Sequence, residues 1–430
     1  MPPDAAEPDL KPPASAQAPE LISSAGKRES DWHVVACFIL LLAGLYLTIG
    51  PALKLSGWHI RTELNPAFLE AQAWRDGRMD LSWRAPDTAL CNGKVYSVHP
   101  PLFTLLSLAA LRLGSLYGLP ADQFYTPWYV IVVALPLPLV GFWAFQQVLH
   151  RAAWSAVLTA YWLIGTPMLP QLILCGGGSI NPLNLILGSA GLMLVVGDLL
   201  GRRRMWPTAI GLVIALWSRP DLVFFGLAAL WIAWRMKDKR RRSMILIGCG
   251  LTVAVGTLMV LNWLKFGSPF ESGYRYVYDY RPNSWLGHRA LTYGVFSPHF
   301  LRENAYSMNL APPHLRLTSG GLVPENEDFG VGIWFTSPLL LGAFIGLRRW
   351  LPDRPARALM FSSLLVIAAL LMYHATGGEK VGYYRFALDW LPVWLMALAP
   401  WAIERWRRYF TLGCLAWSGL YFNILWQAYP

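Results

Sequence analysis

The stretch WPTAIGLVIALWSRPDLVFFGLAALWIAW, Trp206 to Trp234, is apolar on both sides of one polar tetrapeptide, Ser218-Arg219-Pro220-Asp221. Basic clusters flank it, Arg202 to Arg204 before and Arg235 to Arg242 after. Clusters of this kind between hydrophobic segments are what the positive-inside rule places in cytoplasmic loops. Two clusters on one side require the chain between them to leave and return, so the stretch reads as a helical hairpin that turns at SRPD. A chain built from such exchanges is a polytopic helical membrane protein.

The rest of the sequence agrees. Of 430 residues, 55% are hydrophobic and 14% charged, which would leave a soluble domain with too much uncovered apolar surface. Apolar stretches near the roughly 20 residues needed to cross about 30 Å of hydrocarbon recur from His33 to the last residues. Beside the hairpin, crossings are expected at 33 to 54, 127 to 149, 153 to 174, 179 to 200, 243 to 264, 330 to 347, 357 to 375, 386 to 403 and 409 to 427. The fold class is therefore an all-α integral membrane bundle, with about eleven membrane helices. The segment 101 to 118 does not fit the alternation of sides.

The formal charge of +11 lies in the clusters named above and in two more, Arg348 to Arg357 and Arg405 to Arg408, so it marks loops rather than a nucleic-acid face. The five cysteines lack CxxC spacing and read as small packing residues. GGGS at Gly176 to Ser179 lacks the lysine of a nucleotide loop. Residues 1–31 are rich in Pro, Ala, Ser and charge without an apolar h-region, which reads as a disordered cytoplasmic tail held inside by Lys27 and Arg28. Residues 32–430 then form one transmembrane domain in the cytoplasmic membrane, with the N-terminus in the cytoplasm.

Three polar segments face the other side: a first outer loop at 55–100, a large late loop at 265–329, and a short one at 374 to 385. In the first, ELNPAFLEAQAWRDGRMDL (Glu63 to Leu81) places Phe68, Leu69, Ala73 and Trp74 at helical spacing and ends on Asp76-Gly77. That predicts a short amphipathic helix lying on the membrane surface. Farther on, NGKVYSVHPPLFTLL (Asn92 to Leu106) sets two prolines where a helix start tolerates them, with His99 at its mouth.

Polar groups at a membrane border cost free energy unless paired or useful. Three sets stand out: the first loop, with Arg61, Glu63, Asn65, Glu70, Asp76, Asp80, Lys94 and His99; the hairpin turn, with Arg219 and Asp221; and the late loops, with Tyr274, Arg275, Tyr278, Arg281, Tyr384 and Arg385. Arg219 reads either as a phosphate ligand or as the partner of Asp221 in a salt bridge that orders the turn. Arg385 reads either as a donor-site residue or as a side chain snorkelling to headgroups. His99 sits either at a cavity mouth or in solvent. A carboxylate base facing arginines that hold a departing phosphate would use all three sets.

The order of elements resembles the GT-C membrane glycosyltransferases, the class that includes protein O-mannosyltransferases and the aminoarabinose transferase of lipid A. VHPPLF (Val98 to Phe103) looks like their HPPL or KPPL element, and FGSPFESGYRY (Phe266 to Tyr276) and WFTSPLLLGA (Trp334 to Ala343) are similar to later segments. The resemblance covers roughly residues 33 to 395. It implies transfer of a sugar from a polyprenyl-phosphate donor to a lipid, glycan or protein acceptor on the outer side of the membrane. The family's DExxYL, whose Asp is the base, departs here to TELNPAFL: Leu64-Asn65 stand at the acidic pair, and Glu63 lies one position off register.

On this resemblance the expected catalytic carboxylates are Glu63 and, second, Asp80, and the expected phosphate contacts are His99, Arg219, Arg275 and Arg385. No cofactor and no metal are expected, since the outer loops lack a DxD element. A lipid-linked oligosaccharide polymerase or ligase, a transporter or flippase, and a non-catalytic GT-C scaffold remain as alternatives.

Overall fold

A computed structural model gives the fold; it describes residues 65–118, 130–176, 180–278, 284–313, 315–318, 321–324, 330–378, 382–404 and 407–427. The expected tail, the first crossing at 33 to 54, Glu63 and Arg281 lie outside the described residues. The described chain is mostly helical, with two small β-hairpins that a purely helical reading omits.

The first loop is a compact unit. Helix α1 (Pro66–Arg75) starts where Asn65 caps it, the side chain accepting from the amides of Ala67 and Phe68 at 3.1 Å, with Pro66 in the first turn. It ends at Asp76, ahead of Gly77 with φ 73°. The helix does not lie with one face open. Pro66 through Ala71 and Ala73 are all buried, because α1 packs on α2 (Pro101–Leu116) and on the hairpin between them. That hairpin, β1 (Thr88–Cys91) with β2 (Lys94–Ser97), turns through Asn92-Gly93, both at positive φ. A two-residue Asn-Gly turn matches the strand twist, which is why this dipeptide is a strong hairpin signal.

Next come a π-turn (Val130–Ala134), α3 (Pro136–Leu149), α4 (Ala152–Ile164), α5 (Met168–Gly176), α6 (Ile180–Leu200), α7 (Trp206–Leu216), α8 (Val223–Arg235) and α9 (Arg240–Phe266). The late loop holds α10 (Tyr274–Tyr278), α11 (Trp285–Tyr293), α12 (Leu301–Asn309) and the hairpin β3 (Leu315–Thr318) with β4 (Gly321–Pro324). The chain closes with α13 (Ile333–Thr336), α14 (Leu341–Trp350), α15 (Arg354–Leu371), α16 (Leu391–Ala402) and α17 (Arg407–Gln427). Among the described residues, four helices are long and apolar enough to cross a membrane: Val132–Leu149, Pro182–Leu200, Arg240–Phe266 and Arg354–Leu371.

The hairpin at SRPD forms as read: α7 runs to Leu216, the chain turns through Ser218 to Asp221, and α8 returns. Two expected crossings are instead broken, and a third, 386 to 403, opens as a 3-10 turn (Arg385–Asp389) that leaves a helix of twelve residues, Leu391–Ala402. The segment 153 to 174 divides into α4 and α5 at Thr166-Pro167, where Pro167 has no N–H and the Thr166 hydroxyl accepts from Met168 N at 3.2 Å. The segment 330 to 347 divides at Ser337-Pro338 for the same reason, and the Ser337 hydroxyl donates to Gly165 O at 2.9 Å. One break therefore satisfies the other. The segment 101 to 118 is a single helix of 16 residues, about 24 Å long and shorter than a bilayer core.

Close contacts between backbones hold the centre. A Cβ at Gly191 of α6 would stand 2.6 Å from Gly211 O and Ala215 N of α7, so these helices touch main chain to main chain. Gly346 of α14 likewise abuts the Ala397 carbonyl of α16. Within the span of α6, 89% of the residues are buried, whereas in α9 the figure is 11%, which puts α6 at the axis of the bundle and α9 on its rim.

The ends of these helices sort by chemistry. Going down the chain, α6 runs toward Arg202 to Arg204 and α7 away from them to Arg219. Helix α8 runs on to Arg235, α9 from Arg240 to Lys265, and α15 from Arg354 toward His374. The basic clusters gather at one end, with Arg349 paired to Glu404 there, and Asn184, Arg219, Lys265 and His374 converge at the other.

Candidate functional site

At that second end lies a cavity of about 240 Å³, lined by the approach to α2, the start of α6, the SRPD turn, the last turns of α9 and the two late loops. Its wall begins at Ser97 to Pro101, which the β1–β2 hairpin presents; Tyr96 of that hairpin meets Phe266 at the end of α9 edge-on at 5.8 Å. Pro100 is extended and Pro101 opens α2, so the helix starts where the double proline requires. His99 is held 4% exposed, with Nδ1 3.3 Å from the Asn184 amide nitrogen. Since that nitrogen donates, Nδ1 accepts and Nε2 carries the proton. Nε2 has no partner among the described residues. Burial pulls the imidazole down to about 4, so His99 reaches the cavity as a neutral donor rather than a cation.

Behind His99 is a buried ion pair that local pattern does not reveal. Glu70 of α1 and Lys265 of α9, with side chains 0% and 4% exposed, form a salt bridge. The Thr104 hydroxyl of α2 donates to Glu70 Oε2 at 2.6 Å, and Lys265 Nζ donates to Ser97 O at 3.0 Å. One pair thus ties α1, α2, β2 and α9 together, and Lys265 faces the cavity.

Arg219 also lines the cavity. Its Nε and Nη2 donate to the two Asp389 oxygens at 3.1 and 2.6 Å, its Nη2 lies 3.4 Å from Asp221, and its guanidinium sits 5.3 Å from the Phe386 ring centroid. The salt bridge with Asp221 exists, but the closer grip is Asp389, 170 residues away and fully buried. A planar fork on both oxygens of a carboxylate is the strongest geometry available to an arginine, and Nη1 is outside it. Arg385 lines the cavity beside it, its guanidinium 5.4 Å from the Phe386 centroid, and its backbone N–H donates to Gly377 O at 3.0 Å. His374, also at the wall, is pulled to about 4 by burial, with Arg289 acting in the same direction.

The structure thus brings together four of the residues singled out from sequence, His99, Arg219, Tyr274 and Arg385. Asp80 is elsewhere, 3.8 Å from Arg78 and partly exposed, and Arg275 is exposed on α10 next to the cavity-lining Tyr274. Asp87 takes the place in the wall for which a carboxylate was sought. It is the acidic residue among those lining the cavity, half-buried in the turn before β1 at φ 55°, a left-handed conformation that Asp tolerates better than most side chains. Its proximity tends to raise the titration points of His99 and Tyr274. The positive charge of the wall is largely answered from behind, by Glu70 for Lys265 and by Asp389 and Asp221 for Arg219. Among the described residues no group of three or more His, Cys, Asp or Glu side chains could hold a metal ion.

No protein-family model, no curated protein and no solved structure matches the chain.

Proposed function

We propose that the chain is a GT-C-like glycosyltransferase of the cytoplasmic membrane. It moves a sugar from a polyprenyl-phosphate donor to a lipid, glycan or protein acceptor on the outer side. Its N-terminus is in the cytoplasm, and about eleven helices lie in the bilayer. The observation that carries this reading is the cavity at the end away from the basic clusters, whose lining holds Arg219, Lys265 and Arg385 together with Asp87 and His99. The positive-inside rule makes that end non-cytoplasmic.

In the reaction, an acceptor hydroxyl gives its proton to a carboxylate. The freed oxygen attacks the anomeric carbon, and the bond from that carbon to the phosphate oxygen breaks with inversion. The polyprenyl phosphate leaves as an anion, stabilised by charge-assisted donors. His99, neutral with its proton on Nε2, donates a hydrogen bond and adds no charge. Glu63 is the base implied by the resemblance, and Asp87 is the base that the cavity wall supplies.

The test is transfer from radiolabelled polyprenyl-phosphate sugars by purified protein in nanodiscs, comparing wild type with Glu63→Gln, Asp87→Asn and Arg385→Gln. A loss of about 10²-fold or more in one carboxylate variant identifies the base. No transfer from any donor by the wild type, or full transfer by all three variants, overturns the proposal.

A further inference from the structure

The basic end of the molecule carries a second concavity that the transferase reading does not use. Between α8 and α15 lies a groove of about 700 Å³. Phe224, Leu227, Trp231, Phe361 and Leu365 wall its length, and Arg235, Arg354 and Arg357 gather at one end. The two helices pack against each other, with the Ser362 hydroxyl donating to Phe224 O at 2.9 Å. From Phe224 to Arg235, and from Leu365 to Arg354, each helix advances about 16 Å at 1.5 Å per residue. The groove is therefore apolar along roughly that length and strongly cationic at its mouth.

All three arginines are exposed, and among the described residues none forms an ion pair. Arg235 lies against Trp231 and Trp234, 5.4 and 5.1 Å from their ring centroids, which leaves the edges of its guanidinium open to an anion. The nearest acidic residues in sequence, Asp238 and Asp353, are not in the lining. Asp238, Lys239, Arg241 and Arg242 line a separate concavity at the start of α9, so basic charge extends past the mouth.

We propose that this groove is a binding site for an anionic glycerophospholipid, its phosphate on Arg235, Arg354 and Arg357 and one acyl chain along Trp231, Leu227 and Phe361. Planar guanidinium forks suit phosphate oxygens, and a pocket joining clustered arginines to an apolar channel between two helices selects an amphiphile over a free anion. Three cations without counter-charges favour a headgroup with two phosphates over one with a single phosphate, and a single phosphate over a zwitterion. The inference rests on the membrane placement proposed above and is independent of the sugar-transfer reading.

The experiment is native mass spectrometry of the full chain in detergent, titrated with cardiolipin, phosphatidylglycerol, phosphatidylcholine or inorganic phosphate. Wild type is compared with R235Q/R354Q/R357Q, and with R302Q, which alters an exposed arginine of α12 outside the groove. The result expected is binding in the order cardiolipin, phosphatidylglycerol, phosphatidylcholine, with cardiolipin affinity falling tenfold or more in the triple variant and unchanged in R302Q. Because the three arginines are exposed and hold no ion pair, the triple variant stays folded, and its lipid-free melting temperature falls only by what the exposed Arg235–tryptophan contacts contribute, about 2 °C. Equal cardiolipin binding by the triple variant overturns the site. Equal binding of phosphatidylcholine shows an apolar channel only, and competition by inorganic phosphate at the same concentration as lipid shows an anion site only; either overturns the proposal.

Discussion

Breaking the buried pair of Glu70 and Lys265 from each side, and then from both, measures what holds the first loop to the bundle. Lys265→Met leaves a fully buried carboxylate with the Thr104 hydroxyl alone. Glu70→Leu leaves a buried ammonium on the Ser97 carbonyl. Each single change strands a charge and should cost about 3–5 kcal/mol. The double variant E70L/K265M removes both charges and keeps apolar volume. It strands the Thr104 hydroxyl and the Ser97 carbonyl, at about 1–3 kcal/mol each, and Thr104 can turn back to its own helix's carbonyls and recover part of that. The double variant should therefore lose about 3 kcal/mol, against roughly 8 for the sum of the singles, a coupling near 5. Reversible unfolding in mixed micelles, run as a double-mutant cycle, reads this directly. Additivity within about 0.5 kcal/mol would falsify the picture of one charge neutralising the other and would leave the contact as packing.

Acidification should unfold the protein through His99 and His374. Both imidazoles sit near 4 in the fold and near 6.5 when unfolded. The unfolded chain thus takes up more protons in that window, and the stability is complete above pH 6.5 and lost as pH falls toward 4, by about 3 kcal/mol for each group at 1.36 kcal/mol per pKa unit. Melting temperature against pH should flatten in His99→Gln; an unchanged slope would place His99 in water. Arg219→Lys and Asp389→Asn should each lose about 3 kcal/mol because Asp389 is fully buried. Asp221→Asn, at a partly exposed carboxylate, should lose about 1; thermal melts giving the reverse order would make Asp221 the anchor. Gly346→Ala and Gly191→Ala should destabilise by about 2–3 kcal/mol, since the added methyl meets backbone. Gly248→Ala, in a helix with open space at that position, should stabilise by about 0.5–1 kcal/mol.

Features written within one turn or one span could be read from the sequence. The Asp76-Gly77 end of α1, the double proline opening α2 and the SRPD hairpin each follow from local backbone rules and came out in place, whereas the Asn65-Pro66 start, equally local, was not read. The Asn92-Gly93 turn was equally local and was passed over inside a stretch read for its histidine and prolines. Breaks at Pro167 and Pro338 were signalled by the prolines and hidden by apolar runs long enough to span. In the site, His99, Arg219 and Arg385 stood out as polar groups at the edges of apolar segments. Their partners did not, because Asp389 lies 170 residues from Arg219 and Asn184 lies 85 from His99, and no periodicity links positions so far apart. Asp87 sits in an irregular turn without pattern, and only its place in the wall distinguishes it.

Helix α9 shows how little of a rim helix must be specified. With 11% of its most apolar eighteen-residue stretch buried, much of its surface is free to exchange one apolar side chain for another without consequence for its neighbours. Its depth is set where Gly250 meets Ala209 of α7, at 3.1 to 3.3 Å from where a Cβ would stand, and its rotation is set where Lys265 reaches Glu70. A few such contacts seat twenty-seven residues in the way a bolt is seated by its shoulder and its keyway. In sequence variants of this chain, drift should therefore run along most of the helix and stop at its buried positions, Gly250 and Lys265 among them. A variant that loses the key while keeping the shoulder should still insert, but with the cavity wall turned out of register.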